Sequence, residues 1–344
     1  WVAPLEVDFL RVFQDANPLF QHAEMALWMA ARNGRDVGRI AAIVDHHHNR
    51  YQNDHTAFFG FFECVDDPAV SNVLLDRVAS WARARGLTRL LGPMNPTTND
   101  ECGLLVDGFD SRPVLMMTYN PRSYVKLVEE AGFRKAKDLI AFHIDLANAP
   151  MDRLGRIAAK VRQRHPELSF RAMTRRTLRA DLEKMKAVYN AAWSENWGFV
   201  PMTDPEMDFL AARLKPLFQE GFVQLAEDHS GPVGFLLAMP DYNVAFQALR
   251  GRLLTPRFFG FLPYLLRRRR PTLARVLTFG VKESHRGRGL ESVMLWEGLS
   301  VGARLGYREA EASWILEDNE PMRRILEVFG ARPYKTYRLY DRPV

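Results

Sequence analysis

Apolar and polar positions along this chain fall into two runs of the same order. In the first, an Asn33-Gly34-Arg35 turn leads into strand-like runs from Val37 to Val44 and from Ala57 to Cys64. From Val70 to Arg85 the apolar residues recur at spacings of three and four, which predicts an amphipathic helix stopped by Gly86. A strand over Thr88 to Leu91, a helix over Pro121 to Ala131, Gly132-Phe133 and a final strand follow. The seam is expected near Asn148-Ala149-Pro150, after the run Ile140 to Ile144.

The order then repeats. A helix over Met151 to Arg164 is followed by a second whose stripe is Leu178, Leu182, Met185, Tyr189 and Ala192-Trp193, and a third runs from Asp204 to Phe218. Strands Val223 to Glu227 and Val233 to Met239 turn through His229-Ser230-Gly231. After an irregular stretch come strand Arg275 to Val281, the loop Arg286-Gly287-Arg288-Gly289 and a helix to Arg304. Strand Ala310 to Leu316, helix Glu320 to Phe329, Gly330-Ala331 and strand Tyr334 to Leu339 complete the chain. Two copies of one order predict a duplicated α/β (α+β) chain with units at 1–150 and 151–344.

Composition supports a folded chain. The 344 residues are 47% apolar and 26% charged, which excludes disorder. No run approaches the length of a bilayer-spanning helix, and no secretory signal segment opens the chain. Trp1 in first position leads us to expect that some N-terminal sequence has been trimmed. Cys64 and Cys102 cannot form a disulfide framework, so a reduced, cytoplasmic protein is expected. Charge is uneven: 15 Lys and Arg face 19 Asp and Glu over 1–150, and 32 face 22 over 151–344. A basic second half suits an anionic partner.

The strongest candidate for chemistry is Thr278-Phe279-Gly280-Val281-Lys282-Glu283-Ser284-His285-Arg286-Gly287-Arg288-Gly289-Leu290. A strand passes through a glycine-rich turn into a helix. Glycine lets the backbone approach a ligand, and the first helical amides are unpaired donors at the positive end of the dipole. That arrangement suits a pyrophosphate, with Arg286 and Arg288 adding charge, although a plain tight turn has the same pattern.

With Asn319-Glu320-Pro321-Met322 and Gly330-Ala331 further on, these strings resemble the acetyl-CoA-binding motif, and the motif after it, of the GNAT (GCN5-related N-acetyltransferase) superfamily. Arg286 and Gly289 fall on the first and fourth positions of Arg/Gln-x-x-Gly-x-Gly/Ala, and Glu291 takes the last. Leu326 stands where a general-acid tyrosine is often found. The resemblance implies two tandem GNAT-like units, each a mixed twisted sheet flanked by helices. The first unit is a degenerate repeat, with no glycine loop after Cys64. It also implies an acyl-CoA site formed by Phe279, Gly280, Val281, Arg286, Gly287, Arg288, Gly289, Leu290, Asn319 and Met322, and no metal.

Further strings narrow the resemblance. Ala192-Trp193-Ser194-Glu195-Asn196-Trp197-Gly198-Phe199-Val200-Pro201, Pro240-Asp241-Tyr242-Asn243, and Gly92-Pro93-Met94-Asn95 through Asp107-Gly108-Phe109-Asp110 are similar to the tandem-GNAT group that includes bacterial ceramide synthase. This implies a fatty acyl group moved from a thioester, on CoA or an acyl carrier protein, to the amine of a sphingoid base. Trp193, Trp197, Tyr242, Asn243, Glu101 and Asp107 are the expected acceptor-site residues. Because an alkyl ammonium with a pKa of about 10 is a poor nucleophile, a base is required. By position the candidates are Glu283 and Glu317, with Tyr334 or Tyr337 as acid.

A lipid substrate needs access to a membrane. The run Phe258 to Leu266 meets Arg267-Arg268-Arg269-Arg270, a pairing that suits an anionic surface and peripheral membrane association. No nucleic-acid partner is expected. His46-His47-His48 with His55 and Asp45 is set aside as a metal site, because consecutive histidines on a strand or loop diverge. Rival readings are an acetyltransferase acting on a soluble amine, a tRNA-dependent aminoacyl transferase, and a catalytically inactive acyl-CoA-binding module.

Overall fold

The computed structural model describes residues 1–344 apart from Glu195 and Arg267. The first half runs α1 (Glu6–Arg11), β1 (Ala23–Arg32), β2 (Arg35–Asp45), α2 (His46–Gln52), β3 (Thr56–Cys64) and α3 (Pro68–Arg83). Then come β4 (Arg89–Gly92), β5 (Met94–Asn95), β6 (Glu101–Cys102), β7 (Leu104–Asp107), α4 (Ser123–Glu130) and β8 (Arg134–Asp145). The second half opens with α5 (Met151–Arg164), β9 (Ser169–Ala172), α6 (Leu178–Ala192), α7 (Asp204–Leu214), β10 (Val223–Asp228) and β11 (Gly231–Pro240). It closes with α8 (Asn243–Leu249), α9 (Phe258–Leu265), β12 (Leu273–Val281), α10 (Leu290–Arg304), β13 (Glu309–Leu316), α11 (Glu320–Val328) and β14 (Arg332–Pro343).

Local chemistry sets many of these ends. The β1–β2 hairpin turns at Asn33 and Gly34, both at positive φ (52° and 73°), as the tight turn between twisted strands requires. Helix α7 starts on a capping box, in which Thr203 accepts from the Glu206 amide while the Glu206 carboxylate accepts from Thr203. The histidine run lies on a helix rather than a strand or loop: Asp45 caps α2 by accepting from the His47 and His48 amides. The stretch expected to be irregular holds α8 and α9.

Both halves share one sheet, in the order β1-β2-β3-β4-β14-β8-β13-β12-β11-β10-β9, with β7 also on β14. The pairs β3–β4 and β12–β13 are parallel. The final strands are exchanged. β8, from the first half, pairs with β13 and β14 of the second, while β14 pairs with β4, β7 and β8 of the first. One core lies where α5, α10 and α11 cover the second half's strands, and another where α3 and α4 cover the first's. On the opposite face a third core fills the space between the exchanged strands and the segment 94–117, and a fourth lies under α6.

Candidate functional site

Strands β12 and β13 pair in parallel from Leu273 with Glu309 to Val276 with Ala312, and then separate. At the separation Leu277 is an extra residue in the β11–β12 ladder, a bulge that leaves it opposite no residue of either neighbour. Beyond it, Thr278 to Val281 pair with β11 alone. The other edge of this stretch is an unpaired backbone ladder, able to pair with an extended ligand. Across β13 the pairing with β8 also slips, skipping Ser313 and Trp314. The two strands therefore form a V at the centre of the sheet.

At the wide end of the V the chain turns into α10. Gly287 and Gly289 sit at φ 74° and 85°, and Gly289 takes the N-cap position, so no N-cap side chain meets the first amides of α10. A Cβ on Gly289 would stand 2.8 Å from Val161 Cγ2. Arg286 braces the turn by donating to the Ala192 carbonyl at 2.6 Å. His285 does the same against Asp228 at 3.1 Å. Arg288 is exposed, and the Glu291 carboxyl in the first turn is raised by burial, opposed first by a hydrogen bond from its own amide and then by the Arg286 charge. Gly280 packs against the Trp193 indole so closely that a Cβ would fall 2.4 Å from Cη2.

At the narrow end lies a buried polar cluster. Glu311 on β13 is fully enclosed and accepts from Ser313 Oγ at 2.5 Å and from the Tyr334 hydroxyl. The buried Arg275 guanidinium on β12 donates to Ser313 Oγ at 3.0 Å and to the Leu115 and Met116 carbonyls at 2.6 and 2.8 Å. Burial pulls this guanidinium down from its usual value, and the Glu311 charge opposes that. Burial, then Glu311, holds both tyrosine hydroxyls, at 334 and 337, far above the ordinary phenol value. The Tyr337 hydroxyl is enclosed and has no hydrogen-bond partner, and neither has the Trp314 indole nitrogen beside it. An orphaned buried hydroxyl is costly. Half-buried Glu101 belongs to the same electrostatic cluster: burial raises its carboxyl and Arg275 lowers it.

Against curated proteins, the chain is 36% identical over 349 residues to bacterial ceramide synthase of Caulobacter vibrioides, covering 99% of this chain and 90% of the relative. The chain belongs to the bacterial ceramide synthase family. It is an N-acyltransferase of the GNAT type, also 32% identical over 354 residues to protein YghO of Escherichia coli, covering 100% of this chain and 88% of that one. No family model matches. Among solved structures, a tandem GNAT protein from the clavulanic acid biosynthesis pathway aligns with TM-score 0.54 and 12% identity over 100% of this chain and 98% of its own. A GCN5-related N-acetyltransferase from Sphaerobacter thermophilus aligns with TM-score 0.50 and 15% identity over 94% and 81%. The mixed α/β fold of tandem GNAT proteins, expected from the resemblance, is therefore the fold of this family member.

Within this framework the expected site residues separate into groups. Phe279, Gly280 and Val281 lie on the unpaired stretch of β12, and Gly287 to Leu290 lead into α10. Tyr334 donates to Glu311, and Tyr337 lies within reach of its charge without a hydrogen bond to it. Glu283 is exposed on the turn after β12. Glu317 is held by Lys135 at 2.6 Å and by the Asp138 amide at 3.0 Å. Asn319 caps α11 through the Met322 amide, and Met322 packs on the core beneath α10. Trp197 joins the core under segment 94–117, with Lys137 over its ring at 5.7 Å. Asn243 donates to the Pro113 carbonyl at 3.1 Å and so ties down that segment. Tyr242 stacks on Phe246, and Asp107 is exposed.

Arg268 to Arg270 are exposed, while Arg267 lies outside the described residues. Sequence reasoning missed Glu311 and Arg275. Their signal was present, since a charged residue at 275 and Glu309-Ala310-Glu311-Ala312 at the start of 309–316 put ionised groups where a central strand is otherwise apolar.

Proposed function

We propose that this enzyme transfers a long-chain acyl group from acyl-CoA to the amine of a sphingoid-type base. The single observation that carries this reading is the V between β12 and β13, with a helix start that has a glycine N-cap at one end and a buried carboxylate with an orphaned hydroxyl at the other. In this reading the diphosphate meets the amides after Gly289, with Arg288 near it, and the pantetheine arm pairs along Thr278 to Val281. The thioester then lies beside the unpaired Leu277.

The acceptor arrives as an ammonium with a pKa of about 10 and must lose a proton. Glu311 is the buried carboxylate on that side, so we assign it the base role. Glu311 takes one proton from the ammonium, the freed amine nitrogen attacks the thioester carbon, the C–S bond breaks, and the second nitrogen proton is taken up by the departing sulfur. A thiol with a pKa of about 8.5 leaves readily as thiolate. Tyr337, held protonated by its surroundings, is better suited to donate a hydrogen bond to the developing oxyanion than to give up its proton. In this reading Glu283 and Glu317 do not touch the reacting atoms.

The lipid nature of the substrates is supported by the surface around α9. Leu254 is fully exposed and Phe259 is 74% exposed, beside exposed Arg250, Arg257, Arg268, Arg269 and Arg270. Apolar side chains within a basic field match an anionic membrane surface. Among the described residues no helix is long and apolar enough to cross a membrane.

The test is to incubate the protein with sphinganine and acyl-CoAs of increasing chain length and to read products by mass spectrometry. An N-acylsphinganine peak with long chains is the expected result. Transfer confined to acetyl-CoA and soluble amines would overturn the lipid assignment.

A further inference from the structure

The face of the sheet that carries Arg275 and Glu311 also holds a cavity of about 100 Å³ between α6, α7 and strands β10 to β12. Its wall is almost wholly apolar and includes five methionines, at 173, 185, 202, 207 and 239. Thr278 also lines it. That residue is the second beyond the last β12–β13 pair, so the cavity begins beside the open V. At its outer part Lys186 of α6 reaches Asp208 of α7 at 2.7 Å, a bridge between the two helices that form its roof.

We infer that this cavity receives the acyl chain of the donor and that α7 sets the chain length accepted; the inference rests on the function proposed above. The placement follows from connectivity. The acyl carbon is bonded to the donor's sulfur, so the chain must leave the V from the strand along which the donor lies, and Thr278 on that strand opens directly into the apolar space. The acceptor amine needs the carboxylate, which lies further down β12 and β13, beneath the Leu115–Met116 carbonyls. As it stands the cavity takes only the first few methylenes. Methionine is unbranched, with three rotatable bonds and a polarizable sulfur, so a wall made of it can yield to longer chains without polar groups being exposed. Ala211 of α7, on the lining, is the position where an added side chain would fill the space.

Isothermal titration of the full chain with CoA and with palmitoyl-CoA, kept below its micelle concentration, tests this without relying on turnover. The unaltered protein should bind palmitoyl-CoA at least tenfold more tightly than CoA. Ala211→Trp should abolish that difference while leaving CoA affinity within twofold, which also reports an intact fold. Met207→Ala, which enlarges the cavity, should shift preference toward longer chains among C12 to C20 acyl-CoAs. If the palmitoyl advantage survives Ala211→Trp, or if that variant changes selectivity for amine length instead, the inference is overturned. If the unaltered protein binds no CoA at all, the donor reading beneath it fails.

Discussion

Each half of the molecule contains a parallel strand pair followed by a helix, and the two junctions are built to opposite ends. After β12 the turn runs through two left-handed glycines, and the amides of α10 are left without a side-chain cap. After β3, Asp67 caps α3 by accepting from the Ala69 amide at 2.9 Å, and Pro68 removes one of the remaining donors. The V shapes differ in the same sense. That of the second half is open along Thr278 to Val281. That of the first is filled by its own chain, because β5 returns from β4 onto β3. A Cβ on Gly60 would collide with the Met94 carbonyl oxygen, and Asn95 Oδ1 accepts from the Phe61 amide at 2.6 Å.

Even the residues inside the two pairs differ. One step before the last parallel pair, the second half places Arg275 opposite Glu311, and the first half places Ala57 opposite Leu90. One repeat thus caps its helix and fills its gap with its own chain, and the other does neither. We propose that the first unit, 1–150, has kept the architecture and given up the donor site.

This contrast can be broken most sharply at its chemistry. Glu311→Gln is expected to cut kcat by roughly 10² to 10⁴, the usual range for a general base, with CoA affinity unchanged. Steady-state kinetics alongside titration would show it, and near-wild-type turnover would move the base elsewhere. Next in size, Gly289→Asp should weaken CoA binding about 100-fold, equal to about 2.7 kcal/mol, by setting a carboxylate and a Cβ where the amides must face phosphate. The mirror change, Asp67→Gly, should create no affinity, since the β3–β4 gap is already occupied.

A smaller effect comes from Asn95→Ala, which removes the bond that holds the plug. It should cost about 1 kcal/mol in denaturant unfolding, while CoA titration stays the same. A parallel loss of CoA affinity would mean that the first half takes part in donor binding.

A further effect, set by pH, concerns the bond between the halves. His22 sits between Asp45 at 2.9 Å and Glu206 at 3.2 Å, and those partners raise its pKa to about 9. The unfolded value is about 6.5, so the folded state binds the proton more tightly. Its contribution is complete below pH 6.5 and lost as pH rises toward 9. Thermal melts should fall by a few degrees over that window, and His22→Gln should flatten the decline.

Much of this was legible beforehand, because periodicity and stop signals are local. Helix α5 occupies Met151–Arg164 as expected, and α6, α10 and α11 lie within a residue or two of their stripes. The glycine turn was also legible, since its meaning lies in thirteen consecutive residues, 278–290. What was lost depended on partners distant in the chain. Nothing in Met94-Asn95 announces that it lies on β3, and nothing near Glu311 names Arg275 or Tyr334 as its companions. The four-residue strand β9 pairs only with β10 and carries too short a pattern to stand out. Helix α2 was missed because three histidines hide a helix whose strongest signal is the preceding aspartate cap.

The trade of β8 for β14 has a genetic consequence. A chain broken at residue 150 would yield two pieces, each missing a rib that the other carries, and each offering a raw edge where the missing rib belongs. Shuffling single units among such proteins would therefore be selected against, and the two copies must be inherited, and must diverge, as one indivisible pair.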